Sequence, residues 1–192
     1  MYKLFAILAL VAATSAHAGN FAVTVTTTPV SGTAGFIAFD MLGGAPLQGN
    51  TLVVSAFTTN GSIGTGAGSG SFSGSLAGSL TLNSATNFFN EWLQPVVFGT
   101  RLSFNFALSE QYTSGTPDNF SFYLLNSTGQ PLGSTDPTGS GAAFSADIRA
   151  TTVPAVFTSP SFAVSLVPEP QSWLLWATAL ACGAALRRAP RR

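Results

Sequence analysis

The sequence predicts an all-β protein: an antiparallel β-sandwich with one short helix and with helical sorting segments at the ends. Three observations favour this class. Apolar and polar side chains alternate along eight segments, short runs of turn-forming residues separate those segments, and helical spacing breaks this pattern at one internal segment only. Many short strands without repeated helices pair as antiparallel sheets, and the jelly roll stays open as one such arrangement.

The eight predicted strands follow one another through the body of the chain. The clearest alternation places Leu102, Phe104, Phe106 and Leu108 between smaller or polar residues. This period of two is typical of a half-buried strand, because successive side chains point to opposite faces of a sheet. The predicted strands cover residues 21–27, 36–42, 52–57, 72–82, 102–108, 120–125, 144–148 and 162–166.

One internal segment, residues 84–93, breaks the alternation. Its large apolar side chains are spaced at i, i+1, i+4 and i+5, and they are Phe88, Phe89, Trp92 and Leu93. This spacing predicts a short helix packed on the sheet and ending before Pro95.

A second segment, residues 61–70, consists almost entirely of small residues. Gly, Ser, Ala and Thr dominate it, and this composition predicts a flexible loop. It completes neither a dinucleotide-binding glycine motif nor a phosphate-binding loop with its lysine. The core is expected to depend on aromatic area, because all but one of the 16 Phe residues lie in the body.

The charge distribution excludes nucleic acid as a partner. The whole chain has seven basic and seven acidic residues, but the body, residues 19–166, has two arginines against six acidic residues, which leaves a net charge of −4. Phosphate contacts from Lys and Arg dominate nucleic-acid affinity, and this body has almost none to offer. His17 and Cys182 are the only residues of their types, so the body lacks the side chains for zinc sites, His-dependent catalysis or disulfides.

The N-terminal segment, residues 1–18, has the features of a secretory signal peptide. Lys3 precedes an apolar stretch over residues 4–13, and Ala16 and Ala18 form a small-x-small cleavage pattern. The segment therefore predicts export by the Sec translocon and cleavage by signal peptidase, with a mature chain that starts at Gly19.

The C-terminal segment, residues 167–192, has three parts. The first is a proline-containing motif with a following hydroxyl and aromatic residue: Val167, Pro168, Glu169, Pro170, Ser172 and Trp173. The second is an apolar stretch, and the third is a basic tail with Arg187, Arg188, Arg191 and Arg192. A helix over residues 172–186 would span about 22 Å, short of the ~30 Å hydrocarbon core, but interfacial tryptophans and snorkelling arginines favour insertion, with the arginines on the cytoplasmic side.

This tail resembles the PEP-CTERM sorting signal of exopolysaccharide-associated proteins in Gram-negative bacteria. The resemblance implies an exosortase as partner, cleavage near the motif, and passage from the inner membrane to the cell surface or extracellular matrix. Pro168 and Pro170 are expected to keep the motif out of helix and sheet, and therefore accessible. The implied function is structural or adhesive within an exopolysaccharide layer and is not enzymatic. A tail that anchors the protein permanently is the alternative.

A calcium site is a second hypothesis for the body. Aspartates lie at predicted strand ends and turns, where carboxylate and backbone oxygens can converge on Ca²⁺. Asp118 and Asp136 are the preferred candidates, although no Asp-x-Asp-x-Asp-Gly loop is present. The alternative is that these aspartates cap turns.

Two further hypotheses concern carbohydrate. A glycan-binding surface would use an aromatic platform, and Tyr112, in the polar loop before Asp118, is preferred over Trp92 and Tyr123. A glycoside hydrolase would instead pair Glu91 with Glu110 as its two carboxylates. The sequence does not determine whether these two glutamates meet.

Overall fold

Residues 19–149 and 152–168 are described in a computed structural model of the protein. Within these ranges the chain forms strands and one 3₁₀ turn, Thr28–Val30. The strands in chain order are β1 (Gly19–Thr26), β2 (Ala34–Leu42), β3 (Thr51–Thr59), β4 (Ser62–Ile63), β5 (Ala67–Ser69), β6 (Phe72–Gly74), β7 (Ser79–Asn83), β8 (Phe89–Val97), β9 (Arg101–Leu108), β10 (Asn119–Asn126), β11 (Phe144–Asp147), β12 (Ala155–Val156) and β13 (Ala163–Pro168).

The strands form two antiparallel sheets that pack face to face. The six-stranded sheet has the order β13-β1-β9-β3-β7-β6. The seven-stranded sheet has the order β12-β11-β10-β2-β8-β4, and β5 also pairs with β8. The predicted all-β sandwich is therefore confirmed, and each of the eight predicted strands corresponds to a strand or strand pair of the structure.

Phenylalanine rings from both sheets fill the core. Phe104 from β9 lies with its ring centroid 5.1 Å from Phe39 on β2 and 5.0 Å from Phe122 on β10. Phe106, one pleat along β9, lies 5.0 Å from Phe120 and 5.6 Å from Phe144. The tilted, edge-on and offset arrangements are those that aromatic quadrupoles favour, so this cluster joins the sheets without a disulfide.

The helix predicted over residues 84–93 is wrong. Residues 89–97 form β8, which pairs with β2 in the seven-stranded sheet. Trp92 faces the core between two buried amides, Asn90 and Gln94. These amides remain satisfied, because Asn90 Nδ2 donates to the Met41 carbonyl (3.2 Å) and Gln94 Nε2 donates to the Gly64 carbonyl (2.7 Å).

The segment predicted as a flexible loop, residues 61–70, contains two short strands. β4 and β5 both pair with β8, and they extend that edge of the seven-stranded sheet. The following predicted strand, residues 72–82, is two strands, β6 and β7, separated by a turn at residues 75–78. The prediction failed here because backbone hydrogen bonds, rather than an apolar face, hold these short strands.

The last described strand continues two residues into the predicted sorting segment. In β13, Val167 pairs with Ala22 and Pro168 pairs with Phe21. The expectation that Pro168 stays outside the sheet is therefore wrong. Proline is tolerated at this position because β13 lies at the end of the strand order, where a missing N–H breaks no inner ladder.

Several predicted features lie outside the described residues. They are the two helical terminal segments, the signal-peptide residues Ala16 and Ala18, the motif residues Glu169, Pro170, Ser172 and Trp173, and the arginines 187, 188, 191 and 192. Within residues 19–149 and 152–168, no helix has the length and apolar character to cross a membrane.

Candidate functional site

The two ends of the described chain lie side by side. Gly19 pairs with Leu108 at the end of β9, and Phe21 pairs with Pro168 at the end of β13. The residue that follows the predicted signal-peptide bond and the first two residues of the predicted sorting motif therefore lie at one end of the sandwich. We call this end the terminal pole: strand ends Gly19, Phe89 and residues 167–168, with the connections 43–50, 84–88, 109–118, 148–149 and 152–154.

Asp118 forms hydrogen bonds with the loops of the terminal pole from a buried position. Its side chain is fully buried, and its carboxylate accepts hydrogen bonds from the backbone N–H of Gly44, from the hydroxyl of Ser84 and from Nδ2 of Asn50 (2.9 Å). Burial alone would raise the pKa of Asp118, but the hydrogen bonds from Ser84, Gly44 and Asn50 hold it below its usual value. Asp118 is therefore an ionised acceptor that ties three connections together.

Asn50 extends this network. Its Oδ1 accepts from the Ser109 hydroxyl (3.1 Å) and the Gln111 backbone N–H (2.6 Å), while its Nδ2 also donates to the Gln111 carbonyl (2.7 Å). Asn50 is fully buried at the start of β3, so the loop over residues 109–118 is fixed to the core. Sequence reasoning missed this residue, because nothing in its local pattern distinguishes it from a surface asparagine.

Asp136 lies in the connection after β10, whereas Asp118 lies before β10. The Asp136 carboxylate accepts from the backbone N–H of Thr138 (2.9 Å) and from the hydroxyls of Thr138 and Ser140. Desolvation opposes ionisation, but the hydrogen bonds from Ser140 and Thr138 lower the pKa of Asp136 to about 2. The structure does not join the two aspartates in one network.

Calcium binding by Asp118 or Asp136 stays a prediction. In the described part of the chain, no group of three or more His, Cys, Asp or Glu side chains could hold a metal ion. Main-chain and hydroxyl oxygens would have to complete any such site.

The three aromatic candidates occupy different environments. Trp92 is 5% exposed and packs against Phe72, with ring centroids 5.6 Å apart, so it belongs to the core. Tyr112 is half-buried at the terminal pole, and its hydroxyl donates a hydrogen bond to the Gly115 carbonyl (2.9 Å). The Arg149 guanidinium lies 5.3 Å from the centroid of the Tyr112 ring. Tyr123 faces outward from β10, because its neighbours in the strand point into the core.

An acidic pair lies on the same outer face as Tyr123. Asp40 on β2 is directly opposite Glu91 on β8 and Ser121 on β10. Oxygen Oδ1 of Asp40 is buried and has no hydrogen-bond partner among the described residues, since the Ser121 hydroxyl donates to Asn119 instead (2.8 Å). Burial, and secondarily the charge of Glu91, raise the pKa of Asp40 to about 7.

The structure does not place Glu91 and Glu110 on one face. Glu91 lies on the outer face of the seven-stranded sheet, and Asp40 is its carboxylate neighbour. Glu110 follows β9 in the six-stranded sheet with a positive φ of 37°, and its Oε1 accepts from the Thr152 backbone N–H (3.1 Å). The glycoside hydrolase hypothesis, with Glu91 and Glu110 as its carboxylates, therefore has no geometric support, and sequence reasoning missed the pairing of Asp40 with Glu91.

Comparison with known protein families, with curated proteins and with solved structures finds no match to this chain. The class of protein is defined by its fold, an all-β sandwich whose described ends, Gly19 and Pro168, lie at one pole.

Proposed function

We propose that this chain is an exported surface or extracellular-matrix protein whose C-terminal segment is an exosortase-processed sorting signal. The β-sandwich would be delivered to an exopolysaccharide layer and have a structural or adhesive role there. The terminal segments of the sequence are the basis of this proposal, and the position of the strands relative to the two cleavage bonds supports it.

The observation that carries the proposal is that both cleavages would leave the sandwich complete. Gly19 is the first residue of β1, so cleavage before it retains the whole strand. Pro168 is the last residue of β13, so cleavage after it retains all six pairs between β13 and β1. A product trimmed at both bonds would therefore keep every described strand.

The start of the motif is also accessible from solvent. β13 is the last strand of its sheet, and the side chain of Val167 is 56% exposed. An enzyme that acts on the residues after Pro168 could therefore approach without opening the core, because only one neighbouring strand holds this segment.

Terminal mapping of the secreted protein tests the proposal. The chain would be expressed in its native host beside a motif variant that carries both Glu169→Ala and Pro170→Ala. The matched control is Pro160→Ala, which lies at an exposed turn. We expect the wild type and the control to be recovered outside the cell as chains that run from Gly19 to within a few residues of Pro168. The motif variant is expected to stay in the inner membrane. Wild type recovered in the inner membrane with Arg192 intact would instead establish a permanent anchor.

A glycan-binding module is the second candidate, and one observation favours it. The Asp40 carboxyl group, whose buried Oδ1 has no hydrogen-bond partner among the described residues, lies on the same outer face as Tyr123, so an acceptor for a sugar hydroxyl and an aromatic platform could be used together. Sugars offer both a hydroxyl donor and a C–H face suited to an aromatic ring.

Glycan-array binding of the purified protein tests this second candidate. Binding is expected to be lost in Tyr123→Ala and weakened in Asp40→Asn, while Tyr112→Ala, at the terminal pole, retains it. Loss of binding in EDTA would add calcium to the site. An array without signal, or binding that Tyr123→Ala leaves unchanged, would remove this candidate.

A further inference from the structure

We propose that the terminal pole is a membrane-contact surface, at which loop side chains insert into the bilayer interface while the C-terminal tail is anchored. This inference rests on the proposed anchoring of the tail. It assigns a role to the exposed apolar side chains of the loops, which the sorting function alone leaves unexplained.

Apolar side chains are concentrated at this pole. Nine large hydrophobic side chains are exposed in the described part of the chain, and five of them belong to the terminal pole: Leu47, Phe88, Phe89, Val153 and Val167. Phe88 is 64% exposed and Val153 is 83% exposed, and both lie in loops rather than in strands. The alternation of inward and outward side chains along a strand therefore does not explain why Phe88 and Val153 are exposed. A concentration of exposed apolar side chains is typical of an interaction surface.

Hydrogen bonds hold these side chains beside the chain ends. The Gly43 N–H donates to the Phe88 carbonyl (2.6 Å), which joins the loop that carries Leu47 to the loop before β8. On the other side of the pole, the Glu110 carboxylate holds the Thr152 N–H (3.1 Å), immediately before Val153. The buried Asp118 and Asn50 network lies beneath the loops, so the apolar tips project from a fixed base.

The length of chain between the sandwich and the predicted membrane helix limits how far this pole can be from the bilayer. Five residues, 169–173, separate Pro168 from Leu174, where the apolar stretch begins, so six Cα–Cα steps join these two residues. Fully extended, six such steps reach about 21 Å, and any other conformation is shorter. An anchored tail therefore keeps the terminal pole close to the lipid headgroups, and the bilayer is the partner that this surface meets.

The charges of the pole indicate insertion by apolar side chains rather than attraction to anionic lipid. Arg149 is the only basic side chain on the described connections of the pole, and it lies 4.0 Å from Asp147 and above the ring of Tyr112. Glu110 adds a further negative charge. Without a basic cluster, membrane contact should depend on apolar area and respond little to salt or to anionic lipid.

Fluorescence quenching in liposomes tests the inference with the full-length chain. Cys182→Ser removes the native thiol, and Phe88→Cys or Val153→Cys then carries an environment-sensitive NBD label. Thr100→Cys and Thr128→Cys place the same label in exposed turns at the other ends of the strands as matched controls. The protein is reconstituted in phosphatidylcholine vesicles, with and without phosphatidylglycerol, and lipids with a nitroxide near the headgroup serve as quenchers.

We expect blue-shifted emission at the two pole positions and quenching at least about twofold stronger than in the control turns, because interfacial insertion removes a label from water. Added NaCl or phosphatidylglycerol should change the quenching little. Equal quenching at the pole and control positions would overturn the inference. It would also be overturned if added host membrane proteins shield the pole labels from water while nitroxide lipids do not quench them.

Vesicle flotation distinguishes this inference from the proposed function. A full-length chain that does not float with vesicles would contradict the anchoring of the tail. A chain that floats but has unquenched pole labels would leave the anchor in place and overturn only the membrane-contact surface. The variant Phe88→Ser with Val153→Ser supplies a second measurement, because it should reduce quenching of a label at Leu47 while flotation stays complete.

Discussion

Asp40 and Glu91 lie directly opposite each other on antiparallel strands β2 and β8, on the outer face of the seven-stranded sheet. Burial of Asp40 opposes its ionisation, and the like charge of Glu91 adds to that resistance. Asp40 is therefore expected to hold a proton at pH values at which isolated carboxyl groups are ionised.

This pair predicts a stability that decreases as pH rises. The Asp40 carboxyl has a pKa of about 7 in the folded protein against 3.8 as its ordinary value, so the native state binds more protons between these values. The free energy of unfolding should fall between about pH 4 and pH 7, by no more than about 4 kcal/mol at 1.4 kcal/mol per pKa unit. Urea denaturation across this range should show the slope in wild type and in Asp147→Asn, but not in Asp40→Asn.

Asp118 predicts a pH dependence of the opposite sign. Its pKa is lowered by its hydrogen bonds, so its contribution is complete above its usual pKa and is lost as pH falls below about 4. Asp118→Ala also leaves the donors of Gly44, Asn50 and Ser84 without their acceptor and should cost about 3–5 kcal/mol at neutral pH. The exposed Asp147→Ala should stay within about 0.5 kcal/mol, and similar urea midpoints for the two variants would contradict the assignment.

The phenylalanine cluster predicts a large effect of core truncation. Phe104→Ala removes a ring that contacts Phe39 and Phe122 and should cost about 3–5 kcal/mol, because the rings around it cannot collapse fully into the cavity. Phe88→Ala changes a side chain that is 64% exposed and should cost less than about 0.5 kcal/mol. Chemical denaturation of both variants would measure the difference.

Gly44 predicts a second kind of destabilisation. A Cβ at this position would overlap the Thr116 carbonyl oxygen, which belongs to the backbone and cannot move without shifting the loop. We expect Gly44→Ala to lower Tm by several degrees, since about 1 kcal/mol shifts Tm by roughly 2–8 °C. Gly78→Ala is the control, because a Cβ there meets no atom within 4 Å, and Tm should stay the same or rise slightly.

A cross-strand disulfide would show whether β13 must separate from β1 during sorting. Ala22 and Val167 are paired residues, so Ala22→Cys with Val167→Cys, in a Cys182→Ser background, should form a disulfide across the two strands. If the processing enzyme needs the residues before Glu169 to be extended and unpaired, cleavage of the oxidised protein should be slower, and reduction should restore it. The single variant Val167→Cys is the control, and equal cleavage rates would mean that β13 stays paired.

The strands that the sequence predicted correctly are those in which every core position is apolar, as along β9. In β8 the alternation of apolar and polar residues is hidden, because Asn90 and Gln94 occupy core positions. Their amide groups donate hydrogen bonds to carbonyl groups that are remote in sequence. Phe89 and Leu93 point away from that core, which produced an apparent helical spacing.

The functional residues were harder to predict than the strands. Asp40 and Glu91 are about fifty positions apart in sequence and become neighbours only through the register of β2 and β8. Asp118 lies before β10, at a turn as predicted, but its burial depends on two other loops, residues 43–50 and 84–88, that converge on it. Single-sequence patterns describe local periodicity, whereas these relationships arise from long-range pairing.

The antiparallel pairing of β13 with β1 also determines how the protein would bear mechanical force. If force is applied at the C-terminal end of β13 while the opposite end of the sandwich is held in place, β13 is pulled along its own axis. The hydrogen bonds of the ladder are perpendicular to the strands, so all six residue pairs resist sliding together. Tension applied between Gly19 and Pro168 would instead open the same pairs one after another, and the domain would yield at a much lower force.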